Sequence, residues 1–67
     1  MKNNLKEHRK RHGLTQEEIA YFVRISKSSY QGIEAGNHEP SVYTAMRLAD
    51  VLRVDPRDLF PIERETA

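Results

Sequence analysis

The sequence predicts an all-α fold: one compact domain of five short helices within 67 residues. Three observations predict it. Helix start and stop signals recur in order along the chain. Apolar residues fall at helical spacing, and no stretch alternates apolar and polar over five or more residues. The connections between candidate helices are short, which gives a bundle with sharp crossings rather than a long coiled coil.

Each helix has its own signals. Asn4, with Glu7 three residues on, is placed to cap a helix over about 4–12, and Gly13 to end it in a left-handed conformation. Thr15 with Glu18 has the strict T-x-x-E form of a capping box and opens a helix over about 16–23. Ser26 caps a third helix, which Gly36 terminates. Pro40-Ser41 opens a fourth, running through about Arg53. Asp55-Pro56 sets a cap before a first-turn proline, with Asp58 in the same turn. This fifth helix stops near Phe60-Pro61, since proline disfavours helical geometry in the residue before it. The domain core spans about 4–60, with 61–67 as a tail.

The expected core follows the same spacing. Val42, Ala45, Met46, Ala49 and Leu52 form one stripe of the fourth helix. Ile19, Ala20, Phe22 and Val23 serve the second helix, and Tyr30 and Ile33 the third.

Composition narrows the function. Cysteine is absent, which excludes disulfides, a thiolate metal site and a cysteine nucleophile. No apolar run approaches the roughly 18 residues of a membrane span, and nothing resembles a signal peptide. At 31% charged and 37% hydrophobic, the chain is polar but not charge-biased enough for disorder. The net charge of +1 is unevenly spread. Residues 1–13 carry Lys2, Lys6, Arg9, Lys10 and Arg11 against Glu7, whereas 55–67 carry Arg57 and Arg64 against four carboxylates. A one-sided basic surface fits a phosphate-facing protein, and equally a solvated helix beside an acidic tail.

The segment from Gln16 to Gly36 holds the functional signal. Two short helices flank Val23-Arg24-Ile25, and the small Ala20 lets them cross closely. Ile25 and Ile33 point into the angle between them. That arrangement turns the first turn of the later helix outward, with short polar side chains fit to reach base edges.

T-Q-E-E-I-A at 15–20 followed by V-R-I-S-K-S-S-Y-Q-G-I-E-A-G at 23–36 resembles the helix-turn-helix of Cro and phage-repressor-type regulators. E-P-S-V at 39–42 and D-P-R-D-L-F at 55–60 match that family's fourth and fifth helices, so the resemblance covers about 4–60. It implies five helices, a homodimer and binding to double-stranded operator DNA. Carried over by position, it gives Lys27 and Ser28 the main base-reading roles, flanked by Ser26 and Gln31. It gives Gln16 and Asn37 contacts to phosphate, and Arg9 and Glu34 a structural salt bridge between the first and third helices. It places the dimer interface at Val54, Pro56, Arg57 and Ile62, with an acidic partner such as Asp55 or Asp58 near Arg57. Leu59 and Phe60 serve the core.

Several positions depart from the family pattern. Arg24 stands where glycine is usual and is strained by about 1 kcal/mol if it keeps positive φ. His8 and Tyr30 stand at aliphatic positions, and the Tyr30 hydroxyl needs a partner. Gly32 interrupts the recognition helix at a cost of about 1 kcal/mol against alanine. Asn37-His38-Glu39 replaces a loop that is often basic.

Other chemistries find little support. His8 and His12 share a helix face, but no third ligand lies at metal spacing, so no metal is expected. H-R-K-R-H at 8–12 is not H-E-x-x-H, and no Gly-rich phosphate loop occurs. No enzyme activity, cofactor or small-molecule ligand is expected. The reading is a cytoplasmic repressor, bacterial, archaeal or phage-encoded, that occludes polymerase as a homodimer on a palindromic operator. The alternative is a protein-interaction or antitoxin-like module with the same fold.

Overall fold

A computed structural model describes residues 2–61. Five helices follow in order: α1 Leu5–Arg11, α2 Gln16–Val23, α3 Lys27–Glu34, α4 Val42–Leu52 and α5 Pro56–Leu59. No strand occurs among the described residues. None of the helices is long and apolar enough to cross a membrane.

Local capping fixes most boundaries. Thr15 and Glu18 form the reciprocal box: Oγ1 of Thr15 accepts from the Glu18 amide, and Oε1 of Glu18 accepts from the Thr15 amide. Ser26, Ser41 and Asp55 accept from the first turns of α3, α4 and α5. The cap of α1 differs from expectation. Asn4 makes no side-chain cap; its Nδ2 donates to the Asp58 carbonyl at 2.9 Å. Asn3 takes the cap instead, with Oδ1 accepting from the Leu5 amide at 3.1 Å. The Asn4 amide donates to the Leu59 carbonyl at 2.8 Å. These bonds pull Asn4 to α5, a demand that outranks local capping.

α1 is a strap across the bundle. Nδ2 of Asn3 donates to the Ile33 carbonyl at 2.8 Å, at the end of α3. At the other end, Nε2 of His12 lies 2.9 Å from the Leu52 carbonyl at the end of α4. A carbonyl only accepts, so the proton sits on Nε2.

The core lies between α2, α3, α4 and α5, and α1 closes it with Leu5. It comprises Leu5, Ile19, Ala20, Val23, Tyr30, Ile33, Leu48, Ala49, Leu52, Leu59 and Phe60. Two expected core residues of α4 are outside: Val42 is 78% and Met46 61% exposed. Ala49 and Leu52 of the expected stripe are buried, Ala45 is partly buried, and Leu48 joins them, because the C-terminal half of α4 meets the other helices. Phe22 is also exposed and packs edge-on against exposed Tyr21, with ring centroids 5.8 Å apart. Ile19, Ala20 and Val23 already fill the inward face of α2.

α2 and α4 end by the same device. Arg24 and Arg53 lie in the left-handed region at φ +63° and +57°. The following amides, of Ile25 and Val54, donate back to the carbonyls of Ala20 and Ala49, each at 3.0 Å. Both are Schellman turns with arginine where glycine is favoured. Arg47 adds a second tie, since Nη1 reaches the Val23 carbonyl at 3.5 Å while its guanidinium covers the Tyr43 ring.

Candidate nucleic-acid interface

The turn through Arg24 sends the chain from α2 into α3 and buries one side of α3 through Tyr30 and Ile33. The opposite side is left in solvent. Lys27 and Ser28 stand exposed on its first turn, and Gln31 is exposed one turn later. Lys27 and Gln31 are four residues apart and share a face.

Ser26 belongs to the helix end. Its Oγ accepts from the Ser29 amide at 3.1 Å and donates to Ser29 Oγ at 2.8 Å. Asn37 is exposed in the loop after α3, and its amide donates to the Gly32 carbonyl at 2.9 Å.

Beneath this surface Arg9 and Glu34 form a buried, two-pronged ion pair. Nη2 donates to Oε1 at 3.0 Å and Nε to Oε2 at 3.2 Å. The third prong, Nη1, donates to the Leu14 carbonyl at 2.8 Å. Burial pushes the Glu34 carboxyl up. The hydrogen bonds from Arg9 and Gln16, with the Arg9 charge, outweigh it and hold Glu34 below the usual carboxylate range. Arg9 is raised, chiefly by its bond to Glu34. The Tyr30 hydroxyl is buried beside this pair, where burial first and then Glu34 push its pKa up. It makes no hydrogen bond of good geometry among the described residues. The charges of the pair act on it at close range without a direct bond.

The ion pair reaches the surface through two amides. Nε2 of Gln16 donates to Glu34 Oε2 at 3.3 Å, and Nε2 of Gln31 donates to Gln16 Oε1 at 3.1 Å. An ionised carboxylate only accepts, so Gln16 must turn its NH₂ inward and its oxygen toward Gln31. Gln31 must then turn its own NH₂ toward Gln16. Its Oε1 and one N–H remain for a ligand. Nothing in the local sequence at 16 or 31 signals this relay, because its members are brought together only by folding.

The expected interface with a second copy is partly in view. Pro56 and Arg57 are exposed and line an apolar groove with Val42, Ala45, Met46 and Phe60. Val54 is half-buried against the core. Arg57 pairs within its own chain: Nε donates to Asp55 Oδ1 and Nη2 to Oδ2, both at 3.2 Å. Those bonds hold the exposed Asp55 carboxyl low. Ile62 lies outside the described residues. No cluster of three metal-binding side chains occurs among the described residues.

A helix-turn-helix set on such a scaffold, with one exposed helix face, defines a class of DNA-binding regulator. The chain belongs to the helix-turn-helix family of the XRE type, whose model matches residues 5–59. It is 38% identical over 63 residues to an HTH-type transcriptional regulator of Methanocaldococcus jannaschii, covering 94% of this chain and 96% of that one. A regulator of the same description from Bacillus subtilis is 32% identical over 65 residues, covering 97% and 98%. Among solved structures, the restriction-modification controller protein C.AhdI from Aeromonas hydrophila is similar with a TM-score of 0.78 at 35% identity. That match covers 85% of this chain and 86% of C.AhdI. The protein is a DNA-binding transcriptional regulator.

Proposed function

We propose that this regulator is a cytoplasmic repressor that binds an approximately palindromic operator as a homodimer. The observation that carries the reading is the outward first turn of α3, with Lys27 and Ser28 exposed and Gln31 aligned behind them. Lysine donates to guanine O6 or N7, and serine serves as donor or acceptor. Gln31 offers one acceptor and one donor side by side, the complement of adenine N6 and N7. Ser26 borders these groups from the cap. Gln16, at the amino end of α2, and Asn37, in the loop after α3, would meet phosphates on either side.

Dimerisation is supported by the groove of Val42, Ala45, Met46, Pro56 and Phe60, where Val42 and Met46 stay in water. Reading two successive major grooves requires the α3 helices of the two copies to lie about 34 Å apart, one turn of DNA. Val54, Arg57 and Ile62 would frame the contact.

The test is selection from random-sequence DNA followed by gel shift and sedimentation. The proposal expects a two-fold symmetric site bound by a dimer, and lowered transcription when that site overlaps a promoter. An asymmetric half-site bound by a monomer would refute the dimer. Absence of any preferred sequence would favour the protein-interaction or antitoxin-like module.

A further inference from the structure

We propose that His38 is a base-reading residue: its imidazole, seated in the notch that Gly32 leaves on α3, supplies the polar group that position 32 lacks. The inference rests on α3 being the helix that reads DNA.

Gly32 lies one turn beyond Ser28 on the same side of α3. It has no side chain to offer there. The chain returns to this spot after the helix ends. The amides of Asn37 and His38 both donate to the Gly32 carbonyl, at 2.9 and 3.2 Å. The His38 ring then lies against the Gly32 Cα. A Cβ on residue 32 would overlap Cδ2 of His38 and sit 2.9 Å from Nε2. Any side chain at 32 would therefore displace the ring. This gives a physical reason for glycine inside α3, where it weakens the helix.

The ring is placed to act. His38 is exposed and lines one cleft with Ser28 and Ser29. Neither ring nitrogen has a hydrogen-bond partner among the described residues. The side chains of Ser41 and Thr44, in the same cleft, bond to each other, and Ser41 caps α4. The imidazole is thus an available donor next to a base-reading serine. A ring N–H in the major groove meets the acceptors of a purine edge, N7 or guanine O6. His38 would therefore favour a purine at one position of each half-site.

The test uses duplexes recovered by the wild-type protein from random-sequence DNA. His38→Ala is expected to weaken binding to the recovered duplex about tenfold and to relax the purine preference at one position per half-site. Gly32→Ala is expected to melt no lower than wild type, since alanine favours the helix, yet to lose about the same affinity because its methyl evicts the ring. Gly32→Ala/His38→Ala should bind no worse than His38→Ala alone, since both remove one contact. Losses that multiply would overturn the proposal, as would a His38→Ala loss equal on every sequence. Lys27→Ala is measured alongside. If it weakens binding and His38→Ala does not, the His38 assignment alone fails. Indifference of both would overturn the reading of α3 as well.

Discussion

Truncating Arg9 to alanine should bring the protein to the edge of unfolding, while Lys10→Ala leaves it intact. Arg9 makes three hydrogen bonds, two to Glu34 and one to the Leu14 carbonyl. The side chains of Arg9 and Glu34 are 10% and 5% exposed. Removing the guanidinium strands a buried carboxylate whose remaining donor of good geometry among the described residues is the Gln16 amide. Breaking one side of such a pair costs about 3–5 kcal/mol. A core of this size supplies roughly 3–5 kcal/mol in total. Lys10 is exposed and worth at most about 1 kcal/mol. Urea melts at neutral pH, followed by circular dichroism, measure both. Arg9→Ala within about 0.5 kcal/mol of Lys10→Ala would refute the reasoning, since that is the scatter of surface substitutions. The pH profile gives a second check of opposite sign. In the wild type Glu34 is depressed, so its contribution is complete above the unfolded carboxyl value and is lost as pH falls through the folded one. In Arg9→Ala burial acts without the counter-charge and raises Glu34. That variant should gain stability on acidification from about pH 6 to 4, over which the wild type is flat or declining. Arg9→Met/Glu34→Met, which removes both charges, should recover most of the loss.

Three further outcomes follow. Lys27→Ala and Ser28→Ala should each lose about 1–3 kcal/mol on the recovered operator and little on scrambled DNA, with melting temperatures near wild type. Equal losses on both DNAs would remove them as base readers. Arg24→Gly should raise stability by about 0.5–1 kcal/mol, the relief at φ +63° exceeding the added freedom of the unfolded chain; an unchanged or lower urea midpoint would contradict it. Met46→Asp should split the proposed homodimer at micromolar concentration in sedimentation without unfolding the chain, because Met46 is 61% exposed. It separates the two effects better than Val54→Asp, since Val54 also packs on the core. A Met46→Asp dimer of unchanged affinity would move the interface elsewhere.

The elements most legible in the sequence are those fixed within four residues. Thr15 with Glu18, Ser26, Ser41 and Asp55-Pro56 each state a helix start in local chemistry, and the helices begin there. The extent of the buried face of α4 was not legible. Of its expected stripe Ala49 and Leu52 are buried while Val42 and Met46 lie outside and Leu48 joins, and only the packed neighbours decide where that face is covered. Asn3 and Asn4 could exchange roles for the same reason, since the Asp58 carbonyl that claims Asn4 lies 54 residues away. A-x-x-[VL]-R-[IV] occurs at both 20–25 and 49–54, the two segments that end in a left-handed arginine. The repeat itself is readable, but arginine does not advertise a left-handed turn as glycine does. Of the interface, the exposed turn of α3 was visible in its short polar run. The link from Glu34 through Gln16 to Gln31 was not, because it spans three helices.

That link constrains how sequences of this fold can diverge. Glu34 holds the fold through Arg9 and sets the polarity of Gln31 through Gln16. Losing Arg9 alone strands a charge. Losing Glu34 alone strands the guanidinium and frees Gln16 to turn over, which would reverse the donor and acceptor that Gln31 presents. Neither single step is neutral, whereas a joint replacement of 9 and 34 by apolar residues is open, followed by resetting of 16 and 31. Across related regulators, positions 9, 16, 31 and 34 should therefore covary as a group. A shift in the preferred operator base should follow a change at 16 or 34, at sites that touch no base.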